Sequence, residues 1–587
     1  MIFSSSIKRL DIYLVLAISG LLGFFFGSTG GCSWQGAVEG AQVIAGLVHY
    51  PAANPFFMYQ VKTWTVLHQF LAILLRMGLS EKTLSLFMSG AAGAFSFQAL
   101  SLLTFSISRN RWMAILAALF ISHTSIYAFG TVYPVSLMGP IATYGMVGMA
   151  WMMMTFALLS LGEDALGGWM LGIAPAIHPV LGLFTWMVTL AAGWFERAEL
   201  KKRLNSLSWF FLLGCFCAFI SWMNYQWKVN HWLPQGMTID KTILSAFVKS
   251  WDGHRGSVPL NSEDIYFNLV ALGMAWAWLS AFKADLLPEA RFLLRVFIVS
   301  AALGMMAMIM TWIPIGSIPW QLVAMMPGRI LSINIFGFGP LLIGLADRYR
   351  GNRTADIFLS FFLVGILSWT RVTSVNFHVL LFLLMASAVF LFSAKWFGWI
   401  SVKVSHEGKN APNLFLRGAI FLAMGMSLTA NFFHVRRIFP ERYEAMKDWT
   451  NDALYSAIAQ HKDSLLLIGA DLGPIQLLTR RPVVIDVSAM DGMVYIPEAG
   501  SATYEIMKEI YGVDLMRLAQ GTIVNQALFE RRSVEEWIRL AKKYQFTEVL
   551  VDRAWNLKLP EVISKDPYTL YAIPDYGDGA ALAKTKA

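Results

Sequence analysis

The sequence predicts a polytopic α-helical membrane protein of about thirteen transmembrane helices, followed by a C-terminal soluble α/β domain. Three observations lead to this prediction. Hydrophobic residues make up 56% of the 587 residues, charged residues only 14%, and the mean hydropathy is +0.54. An ordinary soluble domain carries about 25% charged residues. Long apolar runs follow one another up to residue 432, and a normal density of charge appears only after them.

The charge balance divides the chain near Phe439. From residue 441 to the end there are 21 acidic and 17 basic residues, whereas the preceding part has 16 acidic and 29 basic residues. A basic excess in a membrane protein marks cytoplasmic loops, so it does not indicate a nucleic-acid partner. We therefore predict a transmembrane body over residues 1–435 and a periplasmic α/β domain over residues 436–587.

The first apolar run, Asp11 to Gly30, follows Lys8 and Arg9 and is long enough to cross a bilayer. No A-x-A cleavage pattern follows it, which predicts a retained helix rather than a removed signal peptide. The chain has three cysteines, one after this run and two inside a later apolar run, and they do not form a disulfide framework.

Basic loops belong on the cytoplasmic side, and each span changes the side, so together they test the number of spans. The long run Ala165 to Phe195 is interpreted as two short spans that meet at His178-Pro179, because proline breaks a helix and because this places the basic cluster 197–203 inside. The other predicted spans are 11–30, 83–107, 112–129, 140–161, 206–223, 265–282, 294–314, 330–346, 355–369, 377–396 and 414–432. The odd total predicts that the C-terminal domain lies on the opposite side of the membrane from the cytoplasmic N-terminus, which for a protein of the bacterial inner membrane is the periplasm.

Four segments are thereby predicted to share the outer face: residues 31–81, 224–264, 314–329 and the soluble tail. Within the first of them, Trp64 to Leu79 is semi-apolar but contains His68, Gln69 and Arg76. These polar groups would face hydrocarbon in a spanning helix, so we predict an interfacial helix.

The tail alternates predicted helices with predicted strands, which indicates a small and mostly parallel sheet. The helices are 444–461, 474–479, 502–511 and 533–544, and the strands are 464–469, 482–486, 547–552 and 569–573. A glycine-containing turn at 469–473 lacks the full G-x-G-x-x-G pattern and the P-loop lysine, which favours a plain strand-to-helix turn over a nucleotide site.

Glu39 is the principal catalytic candidate. It is the only carboxylate between Asp11 and Glu81, and its neighbours are apolar. Partial desolvation at a membrane surface raises the pKa of a carboxyl group towards working pH, which suits a general base. A solvated loop glutamate or a structural ion pair is the alternative interpretation.

Further candidates for substrate binding lie in the other predicted outer segments or at helix ends. His49 is able to orient a substrate, and His178 lies at the predicted helix break, although a hydrogen-bonded loop histidine and a plain turn are the structural alternatives. Arg329 and Arg371 lie at outer helix ends, where an arginine either holds phosphate or snorkels to the interface. Asp252 and His254, in Trp251-Asp-Gly-His-Arg255, are candidate contacts in a substrate loop.

The layout as a whole resembles the GT-C class of integral membrane glycosyltransferases. The shared features are about thirteen helices, an acid shortly after the first helix, an interfacial helix in that loop, broken central spans, a late arginine and a C-terminal extracytoplasmic α/β domain. The pattern looks most like a bacterial branch with a tail of this kind. The resemblance covers the whole chain in layout.

The resemblance implies transfer of a sugar from a polyprenyl-phosphate donor to an envelope glycan, lipid or protein acceptor, with membrane lipid as a further partner and no nucleic acid. It implies Glu39 as the catalytic residue, Arg329 as a donor-phosphate ligand and His178 as a residue that lines the cavity. The first outer loop has one acid where the class has a pair, and the Trp-Trp-Asp motif of oligosaccharyltransferases is missing, so a divalent metal cofactor stays open. A flippase or a non-catalytic assembly partner for lipid-linked glycans is the rival interpretation.

Overall fold

A computed structural model describes residues 9–29, 34–62, 65–122, 144–233, 238–260, 287–348, 451–469, 474–486, 492–517 and 526–574, with a few single residues between them. Within these ranges the chain is mainly helical, and one four-stranded sheet lies near the C-terminus. The predicted spans at 265–282, 355–369, 377–396 and 414–432, the predicted domain boundary at 435/436 and Arg371 lie wholly or largely outside them. The total of thirteen spans therefore stays a prediction.

The membrane body is a multi-pass bundle of apolar helices. Its helices are α1 (Arg9–Thr29), α2 (Gln35–Ala45), α3 (Pro55–Lys62), α4 (Val66–Arg76), α5 (Glu81–Ser108), α6 (Arg111–Ser122), α7 (Tyr144–Leu161), α8 (Asp164–Ile177), α9 (Pro179–Phe195), α10 (Arg197–Trp232), α11 (Lys241–Ser250), α12 (Pro288–Met310), α13 (Trp320–Met325) and α14 (Ser332–Arg348). Six stretches of the described chain are long and apolar enough to cross a membrane: Arg9–Ser28, Glu81–Ser108, Tyr144–Leu161, Asn205–Trp232, Pro288–Met310 and Trp320–Leu345.

The predicted break at His178 is confirmed. Helix α8 ends at Ile177 and α9 begins at Pro179, where proline fits the first helical position because its missing N–H would have no intrahelical acceptor. Nδ1 of His178 accepts a hydrogen bond from the backbone N–H of Leu181 at 3.3 Å and so caps α9. A Cβ atom at Gly182 would lie 2.3 Å from the backbone nitrogen of Pro175, so the two helices touch backbone to backbone.

The last described span of the body is interrupted in the same way. Helix α13 ends at Met325, and the next residue, Met326, has a left-handed φ of 48°. A short 3-10 turn, Pro327–Leu331, then leads into α14. The interruption places Arg329 in the turn rather than in a regular helix. Non-helical backbone at such a position is tolerated where protein or a cavity surrounds it.

The first outer loop forms three short helices, α2, α3 and α4. Helix α2 is tied to the bundle because Nε1 of Trp34 donates to the hydroxyl of Ser89 at 3.0 Å, and it ends at Gly46, which has a left-handed φ of 76°. Helix α4 has 11 residues, about half the length that a span needs. It buries His68 and Leu71 and exposes Phe70 and Ile73, as the predicted interfacial helix should.

The soluble tail contains helices α15 (Ala453–Gln460), α16 (Ile475–Thr479), α17 (Gly500–Glu509), α18 (Gln526–Arg531) and α19 (Val534–Tyr544). Its strands are β1 (Leu465–Ile468), β2 (Phe546–Asp552), β3 (Glu561–Lys565) and β4 (Tyr568–Ala572). Their order is β1-β2-β4-β3. Helix α19 opens with the capping box formed by Ser533 and Glu536, which satisfies two backbone N–H groups at the helix start.

The prediction of a mostly parallel sheet was wrong. Among the described strands, β1 and β2 pair in parallel, whereas β4 pairs antiparallel with both β2 and β3. Strand β3 is largely exposed, so it lacks the apolar run that would have identified it. The predicted strand 482–486 pairs with β1 through a single bridge, Leu466 to Val483. Two further backbone groups of the segment 482–486 bind side chains of the first outer loop. The N–H of Val483 donates to the Tyr50 hydroxyl, and the side chain of Asn54 donates to the carbonyl of Val484.

The tail packs directly on the outer segments of the body. One apolar core joins the sheet with Phe56 of α3, Phe247 of α11 and Val323 of α13. All four segments predicted to share the outer face therefore meet in one place.

Candidate functional site

Glu39 is buried at the junction between the membrane body and the tail. It lies in the middle of α2, and only 1% of its surface is exposed. Its Oε1 accepts a hydrogen bond from the backbone N–H of Leu477, in α16 of the tail, at 3.1 Å. Its Oε2 is buried and has no hydrogen-bond partner within the described residues. The alternative of a solvated loop glutamate is therefore excluded by its position.

A set of uncharged polar side chains joins the tail to the backbone and neighbours of Glu39. Gln476 of the tail is at the centre: its Nε2 donates to the carbonyl of Glu39 at 3.3 Å and to Oε1 of Gln42 at 3.2 Å. The Oε1 of Gln476 accepts from Gln60 at 3.0 Å and from the Tyr50 hydroxyl at 2.5 Å. These contacts hold α16 over α2 without placing a second charge directly on Glu39.

A second carboxylate approaches α2 from the tail. Oδ2 of Asp486 accepts a hydrogen bond from Nε2 of Gln35 at 2.9 Å, and Gln35 precedes Glu39 by one helical turn. Burial, followed by the negative charge of Asp486, holds the pKa of Glu39 well above its ordinary value, against the opposing hydrogen bonds from Leu477 and Gln35. Glu39 therefore holds its proton to higher pH than an exposed glutamate does.

Two buried arginines converge on one phenol at a second position under the tail. Arg255, of the second outer segment, and Arg329 donate to the hydroxyl oxygen of Tyr495 at 2.8 and 3.0 Å. Asp252 accepts from Nε of Arg255 at 2.5 Å, and Arg255 also donates to the carbonyls of Val323 and Ala324. Arg255 is 8% exposed and Arg329 2%. The four residues form what we call the arginine cluster.

The arginine cluster is electrostatically positive. It contains two guanidinium groups, one carboxylate and the phenol of Tyr495 among its four members. Burial raises the pKa of Tyr495, but the charges of Arg329 and Arg255 outweigh burial and lower it below its ordinary value. Burial lowers the pKa of Arg255, whereas Tyr495 and Asp252 raise it by more, so Arg255 is permanently charged. Such a cluster attracts anions.

An apolar pocket opens beside the arginine cluster. Its walls include Arg255, Met310, Ile318, Leu322 and the chain at Pro327–Gly328, and its empty volume is about 500 Å³ with the open space at its mouth included. The combination of fixed cations with an adjoining apolar pocket suits a ligand that has an anionic head and a hydrocarbon tail.

The other predicted site residues are distributed unevenly. His178 caps α9 and is half-buried. His49 is exposed and lies in a different, polar hollow between the first outer loop and the tail, together with Asp463 and Lys542. Asp252 belongs to the arginine cluster. The side chain of His254 and the whole of Arg371 lie outside the described residues.

Neither Glu39 nor Arg329 is among the residues that line the apolar pocket beside the arginine cluster. Both are covered by the tail, which reaches Glu39 through the segment 474–486 and Arg329 through the segment 492–499. Glu498 strengthens the second contact through an ion pair with Lys62 of α3 at 3.0 Å. The tail therefore contacts both the segment that carries Glu39 and the segment that carries Arg329.

Sequence reasoning missed Tyr495, Gln476 and Asp486, and it named Arg255 only as a member of its loop. Each of them acquires its role from a contact across several hundred residues of sequence, and neither spacing nor charge pattern records such a contact. A partial signal existed for Asp486, because it ends an apolar run, and acids at such positions often lie at the edge of a sheet where ligands bind.

The described residues do not fit a divalent metal ion around Glu39. No group of three or more histidine, cysteine, aspartate and glutamate side chains lies together in the described ranges. One oxygen of Glu39 accepts a backbone N–H, and the amide of Gln35 points its N–H, rather than its carbonyl, at Asp486. A hydrogen-bond donor therefore compensates one oxygen of each of these two carboxylates, and no step of the proposed reaction runs through a metal.

Comparison with known proteins gives a structural likeness only. No protein-family model matches the chain, and no curated protein matches it by sequence. Two solved structures of ArnT from Cupriavidus metallidurans, one bound to undecaprenyl phosphate and one in the apo state, are similar at TM-scores of 0.39 and 0.40 and 14% identity; each comparison covers 97% of this chain and 98% of the other. ArnT is a glycosyltransferase of the GT-C class, the class that the layout of this sequence resembles. TM-scores of this size carry no argument about activity, so the function is argued from the residues of this chain.

Proposed function

We propose that this protein is a membrane glycosyltransferase that transfers a sugar from a polyprenyl-phosphate-linked donor to an envelope glycan, lipid or protein acceptor on the extracytoplasmic face. The arginine cluster is the observation that carries the proposal. Two buried guanidiniums beside an apolar pocket, at the outer end of a broken apolar span, match a lipid with a phosphate head.

The donor phosphate binds to Arg255 and Arg329 in this proposal. Guanidinium groups hold phosphate through parallel, charge-assisted N–H···O bonds, and they keep their charge at every working pH. The phenolic oxygen of Tyr495 occupies the acceptor position that a phosphate oxygen takes. The polyprenyl chain follows the apolar pocket towards the bilayer, so that the sugar is presented under the tail.

Glu39 is the general base of the proposed reaction. Its carboxylate takes the proton of an acceptor hydroxyl while the oxygen of that hydroxyl forms a bond to the anomeric carbon of the sugar. The bond between this carbon and the phosphate oxygen breaks, and the electron pair leaves with polyprenyl phosphate, whose charge the two arginines stabilise. One base and one stabilised leaving group suffice for inversion by direct displacement.

The test uses the full-length protein in lipid nanodiscs. Native mass spectrometry with undecaprenyl phosphate as the probe should show binding to the wild type. The double variant Arg255→Gln/Arg329→Gln should bind about 10- to 100-fold more weakly for each phosphate contact of about 1.5–3 kcal/mol that it loses. Lys542→Gln, an equivalent change on the exposed tail, serves as the control.

The same preparations decide between a transferase and a non-catalytic partner. A panel of polyprenyl-phosphate sugars is offered with and without envelope glycan acceptors, and the release of polyprenyl phosphate is measured. Glu39→Gln should bind the probe like the wild type and release none. Probe binding without release in the wild type, over the whole panel, favours the flippase or assembly partner instead.

A further inference from the structure

We propose that Asp486, supplied by the C-terminal domain, is the second carboxylate of the Glu39 site and acts as a positioning residue for that base. The inference rests on the proposed function, which assigns the base to Glu39. It names a residue that lies outside the first outer loop, where the sequence has a single acid. It also means that the tail contributes a residue that acts on the proposed base, in addition to covering the site.

The geometry of α2 carries the inference. Gln35 and Glu39 are four residues apart, so their side chains lie on the same helix face with Cβ atoms about 5–6 Å apart. Asp486 accepts from the amide of Gln35 at 2.9 Å. It is therefore held within about one helical turn of the buried carboxylate whose Oε2 has no partner among the described residues.

The position of Asp486 is fixed by the segment that carries it. Leu477 N–H binds Oε1 of Glu39 at one end of this segment. Near the other end, Nδ2 of Asn54 donates to the carbonyl of Val484 at 3.0 Å, and Val483 N–H donates to the Tyr50 hydroxyl at 3.2 Å. Hydrogen bonds at Leu477, Val483 and Val484 therefore anchor the segment that carries Asp486. The carboxylate is part of an ordered interface rather than a side chain at a loop tip.

Asp486 is the acid that acts on Glu39, whereas the other ionisable groups around α2 are engaged elsewhere. Glu81 pairs with Arg480 at 2.6 Å, so these charges offset one another. Arg76 donates to the carbonyls of Ile44 and Ala45, at the far end of α2. Among the described residues, further titratable neighbours are His68 of α4 and Tyr50 of the loop. Lys62 of α3 pairs with Glu498.

A second carboxylate at this distance makes Glu39 a stronger base. The negative charge of Asp486 disfavours ionisation of Glu39, in the same direction as burial. Near neutral pH, a base with a higher pKa accepts a proton from a sugar hydroxyl more readily. Since Asp486 is on the tail, the base reaches full strength only when the tail is docked.

Infrared spectroscopy measures this pairing without any transfer reaction. The full-length protein in nanodiscs is titrated, and the carbonyl stretch of protonated carboxyl groups is followed. The band that Glu39→Gln removes reports Glu39. In Asp486→Asn, which preserves size and the hydrogen bond from Gln35, the titration of this band should move to lower pH, and Asp486→Glu should return it towards the wild-type position. Asp463→Asn, on the exposed tail, should leave it unchanged.

Kinetics supply the second readout. Asp486→Asn should move the acidic limb of the pH profile of kcat/KM to lower pH and reduce the plateau of kcat by about tenfold, as expected for a weaker base. The KM for the donor should not change, because the arginine cluster is intact. Asp486→Ser provides a second removal variant, with the same expected shift, if the asparagine disturbs packing.

The outcomes separate this inference from the proposed function. An infrared band that titrates at the wild-type pH in both removal variants overturns the role of Asp486, and so does the absence of any Glu39-dependent band. If the band shifts but Glu39→Gln transfers sugar normally, the carboxylate pair stands and the assigned base fails. If Glu39→Gln abolishes transfer while the band is unmoved in Asp486→Asn, the base stands and the inference fails.

Discussion

The two carboxylate oxygens of Glu39 differ in their hydrogen bonding, and this difference lowers the stability of the folded protein. Oε1 accepts the Leu477 N–H, whereas Oε2 is buried without a partner in the described structure. An ionised carboxylate in such a position loses hydration that its hydrogen bonds replace only in part. Proteins retain such groups mainly where activity requires them, and stability is the quantity that suffers.

Glu39→Gln should therefore stabilise the protein while it abolishes transfer. Burial raises the pKa of Glu39 in the folded state above its unfolded value. The contribution of this group to stability is therefore fully present below the unfolded pKa and is lost as pH rises through the folded pKa. Glutamine has no such dependence, so the melting temperature of the variant should exceed that of the wild type at pH 8 and match it near pH 4.5.

Differential scanning fluorimetry over this pH range checks the prediction, with transfer measured on the same samples. Transfer should fall by at least about 100-fold, the usual contribution of a general base. Glu535→Gln, an exposed change at the start of α19, should alter neither quantity. If Glu39→Gln melts at a lower temperature than the wild type at pH 8, the buried charge of Glu39 does not lower the stability of the fold as predicted.

At this scale the sequence predicted Glu39 and Arg329 for a physical reason. A lone acid or arginine in an apolar segment is expensive, so composition alone makes it conspicuous. Tyr495 and Gln476 are ordinary residues in a soluble domain, and only their partners make them special. Their roles depend on how the tail docks, which is a tertiary property.

Among the elements, the hairpin of α8 and α9 follows most directly from the sequence. Proline at 179 cannot continue the preceding helix, and the positive cluster after α9 required an additional crossing. The missing side chain at Gly182 then lets α9 fold back onto α8 at Pro175. Sequence patterns predict such a break better than a sheet edge, because a proline acts locally.

Gly182→Ala should destabilise the body for this reason. The added methyl group would overlap the backbone at Ala174 and Pro175, and overpacking of this kind typically costs about 1–3 kcal/mol. Gly316→Ala is the matched control, since a Cβ atom there meets nothing within 4 Å. Thermal unfolding in nanodiscs should show a lower midpoint for the first variant alone. Equal midpoints would show that the hairpin relaxes without cost.

Strand β3 illustrates the opposite limit. Its side chains are mostly exposed, so they carry no apolar alternation, and its pairing with β4 decides that it is a strand. The segment 482–486 shows the opposite discrepancy, because its apolar run predicts a strand that the structure does not form. Side chains of the first outer loop bind backbone groups of this segment that a neighbouring strand would otherwise have bound. Long-range competition for backbone hydrogen bonds is absent from any local pattern.

For the molecule as a whole, the decisive feature is the contact between the tail and the first outer loop. Polar side chains and one ion pair, Glu81 with Arg480, hold the segment 474–486 over α2. The carboxylate of Glu81 also accepts from Gln42 at 3.2 Å. Exchanging these charges tests whether the contact forms in the membrane.

Arg480→Glu should loosen this contact, because it places two like charges face to face at the start of α5. Hydrogen exchange of the segment 474–486 should then accelerate. The double variant Arg480→Glu/Glu81→Lys should restore most of the protection, since the ion pair forms again in reverse. Lys543→Glu, which breaks ion pairs with Glu505 and Glu509 on the outer surface of the tail, controls for reversal itself. No rescue in the double variant would contradict direct pairing.

The orientation of the chain supplies the last prediction. Single cysteines at His49, Lys542 and Lys201 are introduced after the three native cysteines have been replaced. His49 and Lys542 line one hollow, so an impermeant maleimide should label both from the periplasmic side. Lys201, in the basic segment after α9, should react only in inverted vesicles. Labelling of Lys201 and Lys542 from the same side would contradict the predicted odd number of spans.

The glutamines that surround Glu39 have a consequence for biogenesis. The ribosome makes the first outer loop more than four hundred residues before the segment that covers it, so this loop waits uncovered in water while the remaining helices are inserted. Neutral amides tolerate that interval, because they bind water before docking and bind one another afterwards. An apolar interface exposed to water during the same interval would promote aggregation. A nascent chain therefore stays both soluble and inert until its last domain has folded.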